Sequence, residues 1–107
     1  MRDFESLASE FATNVAAQTD AIARGDSKTG NRHAKRYIKA FEMLRAEGDR
    51  GRDALVPLLS HARADVRVMA ATFLLRHRTE EARRVREEES RGAGLTAFGA
   101  GEALKRW

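Results

Sequence analysis

Cysteine is absent from this 107-residue chain, proline occurs once, and aromatic residues make up 7% of it. Without thiols there is no disulfide frame and no thiolate metal site, a composition that suits a reducing compartment. With Pro57 the sole proline, long helices are free to form on either side of it. No stretch approaches the roughly 18 uninterrupted apolar residues of a membrane helix. The opening MRDFESLASEF places acids where a signal peptide needs an apolar core. A cytoplasmic protein with no membrane partner is the expectation, and the length suits a single domain spanning residues 1–107.

What the chain has in quantity is charge, 34% of its residues, with a net of +4 at neutral pH. Its distribution says more than its sum. Residues 1–23 carry Arg2 against Asp3, Glu5, Glu10 and Asp20, whereas residues 24–39 carry Arg24, Lys28, Arg32, Lys35, Arg36 and Lys39 against Asp26. Alternation of this kind describes a patterned surface, not a disordered basic tail.

Hydrophobic periodicity yields six helices and no strand, an all-α chain. The first, Asp3 to Ala23, places Phe4, Leu7, Ala8, Phe11, Val15 and Ile22 on one face, and Gly25 ends it. The second runs from Lys28 or Asn31 to Ala46 with Ala34, Tyr37, Ile38, Phe41 and Leu44 inward, closed by Gly48. A third holds Ala54, Leu55, Leu58 and Leu59, started or kinked by Pro57. A fourth, Val66 to Arg76, is apolar nearly all round and takes Asp65 as its N-cap. The fifth, Glu80 to Ser90, offers only Ala82 and Val85 as anchors, and a sixth runs from Leu95 to Trp107. Phe98, Leu104 and Trp107 would seal the end of the stack, although an exposed Trp107 would instead anchor a partner.

The third and fourth helices form a hairpin too short to bury its own apolar face, which implies neighbours of the same kind. An offset of 30 carries Ala70 to Ala100 and Leu74 to Leu104, and one of 36 carries Ala70 back to Ala34 and Leu74 to Ile38. A small residue followed four positions later by a large apolar one thus recurs in three pairs.

Leu55–Val56–Pro57–Leu58–Leu59, a short turn, then Asp65, Val66 and Arg67 followed by Ala70, Ala71 and Leu74 resemble a HEAT repeat, with the shorter spacing of its phycobilisome-lyase type. The resemblance implies antiparallel helical hairpins stacked as a short right-handed α-α superhelix. It also implies that Asp65 caps the second helix while Arg67 bonds backbone or acid in the adjoining unit. The long first helix, Gly25–Asp26, Gly30–Asn31 and the final Gly–Leu-x-x-Phe-Gly segment are similar to a bacterial family of short HEAT-like proteins classed as a domain of unknown function. Some small proteins of this kind are thought to act as immunity or antitoxin partners. The resemblance thus implies a stoichiometric protein partner and brings no catalytic residue and no cofactor.

Lys28, Arg32, Lys35, Arg36 and Lys39 recur at helical spacing and form one basic stripe. Three readings stand: a solvated face partly neutralised by the acids of helix one, a dock for an acidic protein, or a track for a nucleic-acid backbone. No His-x-x-x-His pair marks a metal site, and Ser60 and Ser90 lack a base and orienting acid at a meaningful spacing. Arg83–Glu87 and Arg84–Glu88 read as surface i,i+4 ion pairs. The glycines of RGAGLTAFGAGEAL lack the strand or the Gly-Lys-Ser/Thr ending of a phosphate loop. Nothing here marks an enzyme. Oligomeric state stays open, since the first helix suits packing within the stack or across a dimer.

Overall fold

Residues 3–90 are described by a computed structural model, and every regular element among them is helical. The elements are α1 (Phe4–Ala23), α2 (Ser27–Arg45), α3 (Asp49–Asp53), a 3-10 helix (Val56–Ser60), α4 (Ala64–Leu74) and α5 (Thr79–Ser90). The sixth helix and the sealing role of Trp107 lie outside the described residues. The chain divides into two units, Met1–Leu55 and Val56–Trp107.

In the first unit, Asp3 caps α1 by accepting from the Ser6 amide at 2.6 Å. The other end closes as a Schellman motif: the amide of Gly25 donates to the Ile22 carbonyl at 3.0 Å, and that of Asp26 donates to Ala21 at 2.9 Å. Gly25 sits at φ +80° with open space around it, so backbone conformation alone asks for glycine. Asp26 then caps α2 through the Thr29 amide at 3.1 Å, so a connection of three residues ends one helix and starts the next. Hydrogen bonds from the Thr29 side chain and amide hold the Asp26 carboxyl below its ordinary value.

The seam of this hairpin buries Leu7, Ala8, Phe11, Ala12, Val15 and Ala21 with Tyr37, Ala40 and Leu44. Phe11 and Tyr37 meet edge to face, ring centroids 5.6 Å apart. Burial pushes the Tyr37 phenol up, opposed by a hydrogen bond to Gln18. Asn14, also buried, donates to the Glu10 carbonyl at 2.8 Å and faces His33 Nδ1 at 2.9 Å. With its amide nitrogen committed to a carbonyl, the Asn14 oxygen must accept, so His33 Nδ1 carries the proton.

That polar contact corrects the inward face expected of α2. Turning His33 toward Asn14 brings in Gly30, Tyr37, Ala40 and Leu44 and leaves Ile38 40% exposed. Ile22, expected inside on α1, is 53% exposed.

The expected third helix is also corrected. An α-helix through residue 57 needs an amide proton that Pro57 lacks, and its ring would strike the carbonyl four residues back. The chain instead makes α3, which begins after Gly48 at φ +72° and stops at Asp53. Pro57 occupies the second position of the 3-10 helix, where no donor is required of it. Gly51 of α3 packs against the Leu44 carbonyl in the last turn of α2.

The second unit places α4 against the 3-10 helix and against α5. Val66, Val68, Ala70, Ala71 and Leu74 are buried on α4, and Ala82 on α5. Asp65 is not the N-cap of α4. Arg63 holds that position in extended conformation, and Asp65 lies in the first turn, where a carboxylate suits the helix dipole. Its oxygens accept from the Val66 amide at 2.9 Å and from Arg63 Nε and Nη2, both at 3.0 Å. Glu89 of α5 is engaged by Arg67 of α4 at 2.7 Å.

Candidate interaction face on the second helix

Lys28, Arg32, Lys35, Arg36 and Lys39 are all exposed, on the side of α2 opposite Gly30, Tyr37, Ala40 and Leu44. They extend about 16 Å along the axis at 1.5 Å per residue. Arg32 bonds the Thr29 hydroxyl at 3.1 Å, while Lys28, Lys35, Arg36 and Lys39 make no hydrogen bond or ion pair among the described residues. Helical spacing puts Met43, 40% exposed, on the same side beyond Lys39.

Lysine and arginine are good helix formers, but their charges in this stripe work against the helix. Lys28–Arg32, Arg32–Arg36 and Lys35–Lys39 are i,i+4 neighbours of like charge, each destabilising by about 0.2–0.5 kcal/mol. Lys28 also lies in the first turn, where the helix dipole disfavours a cation. The charge arrangement therefore adds nothing to the stability of the helix that carries it.

No aromatic ring of α2 joins the stripe. Tyr37 is 6% exposed and Phe41 is half-buried, so α2 offers bases no stacking platform.

The repeat-motif residues lie in the second unit. Val66, Ala70, Ala71 and Leu74 are buried, while Asp65 and Arg67 are half-buried. Arg67 Nη1 donates to the carbonyls of His61 at 2.8 Å and Ala62 at 3.1 Å, and its Nε donates to Glu89 at 2.7 Å. One side chain thus ties the turn before α4 to α5. Arg67→Met is expected to lower stability by about 2 kcal/mol, through the loss of charge-assisted bonds to half-buried acceptors. Urea denaturation of that variant, of Glu89→Gln and of the double variant measures it. Additive losses would show that Arg67 and Glu89 act independently.

Two polar residues escaped the sequence reading. Asn14 breaks the apolar stripe of α1 between Phe11 and Val15, a signal readable as an inward polar contact. Arg86 falls four residues after Ala82, on the same side of α5, and is wholly buried. Among the described residues no group of three His, Cys, Asp or Glu is placed to hold a metal ion, and no helix is long and apolar enough to cross a membrane.

The chain is similar to the protein RPA1889 from Rhodopseudomonas palustris CGA009, known from a crystal structure. The two are 24% identical, with a TM-score of 0.92 over 98% of this chain and 88% of that one. The likeness shows the fold, an all-α arrangement of helical hairpins. No family model and no curated protein matches the chain.

Proposed function

We propose that this protein is a small HEAT-like interaction module that binds another protein stoichiometrically and without catalysis, in the manner of an immunity or antitoxin partner. Its contact surface is the basic side of α2, and the partner presents an acidic surface to it. One observation carries this reading: five exposed cations share one side of a helix that their mutual repulsion destabilises, and four have no partner among the described residues. Such a surface speeds encounter with an acidic partner and fixes its orientation. The Arg67 bonds to the turn carbonyls and to Glu89 support the HEAT-like part of the reading.

A nucleic-acid backbone is the second reading, favoured by the length and regularity of the stripe. The missing aromatic platform weighs against single strands.

Affinity purification from a lysate of the source organism separates the two. Wild type is expected to retain one stoichiometric protein, and Arg32→Glu/Lys35→Glu to lose it with roughly a hundredfold drop in affinity. Recovery of nuclease-sensitive nucleic acid, with affinity falling steeply in salt, would move the assignment to the second reading. Equal recovery by wild type and variant would remove α2 as the contact surface.

A further inference from the structure

The α4–α5 hairpin encloses a charge that nothing described within it balances. Arg86 is 0% exposed, and its Nε, Nη1 and Nη2 find no hydrogen-bond acceptor among the described residues. By helical spacing it shares a side of α5 with Ala82 and Glu89. Glu89 is held by Arg67, and the Arg67 guanidinium is in turn committed to that carboxylate and to the carbonyls of His61 and Ala62. Burial pulls the Arg86 guanidinium below its ordinary value, yet an arginine in a protein keeps its proton. The cation is therefore present and enclosed, with no counter-charge among the described residues.

Folded proteins keep buried charges paired or liganded, because an uncompensated one is strongly destabilising. As packing, arginine is the wrong residue for this position, since an apolar side chain of similar volume fills such a site without the desolvation. Five N–H donors in a planar fork match an oxyanion, and they accept two oxygens at once.

We propose that Arg86 anchors an anion site in the α4–α5 hairpin, taking a small oxyanion of the phosphate or carboxylate class. The site is separate from the α2 stripe and does not depend on the function proposed for it.

The test uses the full chain in a chloride buffer free of oxyanions, titrated at fixed ionic strength with inorganic phosphate or with acetate. Thermal unfolding and calorimetry provide the two readouts. Wild type is expected to bind phosphate or acetate, with a melting temperature that rises with ligand concentration. Whichever of the two binds identifies the class. Arg86→Met is expected to lose that rise while matching or exceeding wild-type stability in chloride. Arg86→Lys, which keeps the charge and loses the fork, is expected to bind about tenfold more weakly. Arg32→Glu/Lys35→Glu is expected to bind as wild type does, which keeps this site distinct from the stripe.

A wild-type protein indifferent to both anions overturns the proposal, and so does a rise that survives in Arg86→Met. Glu102 is the one acid after Ser90 in the sequence. Anion binding that appears only in Glu102→Gln would make the counter-charge the chain's own and would also overturn it.

Discussion

Phe11→Ala is expected to lower the free energy of unfolding by about 4 kcal/mol, the usual range for deleting a buried aromatic ring being 3–5. Phe11 is 0% exposed and sits in the α1–α2 seam with its ring edge-on to Tyr37. Truncation removes the apolar contacts, leaves a cavity, and deprives Tyr37 of its aromatic neighbour, which adds about 0.5–1.5 kcal/mol. Domains of this size have only about 5–15 kcal/mol in total, so at least about a quarter of the margin would go. Phe11→Leu retains volume and should cost about 1.5 kcal/mol. Urea denaturation followed by circular dichroism measures both. A Phe11→Ala protein within 1 kcal/mol of wild type would mean that the seam does not carry the stability of its unit.

Gly51→Ala is expected to cost about 3 kcal/mol, at the upper end for an overpacked site. The usual sign for this change in a helix is the reverse, since alanine exceeds glycine in propensity by about 1 kcal/mol. The added Cβ at residue 51 would strike the Leu44 carbonyl oxygen, with the carbonyl carbon at 2.7 Å and Glu47 Cβ at 3.1 Å. Two of these are backbone atoms in the last turn of α2, so no rotamer change relieves the clash. Gly25→Ala is the control. Its Cβ meets nothing within 4 Å, and only the positive φ opposes it, at a cost of about 1–2 kcal/mol. Equal losses at the two positions would show that close approach at Gly51 does not matter. The same denaturation curves decide the point.

The α1–α2 hairpin was largely legible because its signals are local. The acid at Asp3, the glycine at Gly25 and the period from Leu7 to Val15 each act within a few residues. The basic stripe was legible for the same reason, since charge at helical spacing and the apolar face opposite it are both read from one segment. Rotation of α2 was not. Ile38 and Ala40 compete for the inward position, and the outcome turns on a bond between His33 and Asn14, 19 residues apart. The start of α4 failed differently. Asp65 has the right residue type for an N-cap, but extended backbone at Arg63, whose amide donates to His61 Nδ1, moves the cap two positions upstream. Pro57 is legible, but it separates α3 from a 3-10 helix instead of shaping one α-helix. Arg86 was hidden by its type. Arginine on a charged helix reads as solvent-facing, and burial of its head group depends on what packs against α5.

The Asn14–His33 contact has a consequence for recognition. The Asn14–His33 bond opposes slip between α1 and α2, because displacement by one turn would strand two polar groups in the seam. That bond favours one register of the α1–α2 hairpin, while the α2 helix itself sets the intervals between the five cations. The proposed partner would meet a surface whose backbone is already helical, so the ordering entropy of association would fall mainly on its own side chains and on the lysine and arginine tips. Loosening the register with Asn14→Ala would leave every cation in place and still weaken binding.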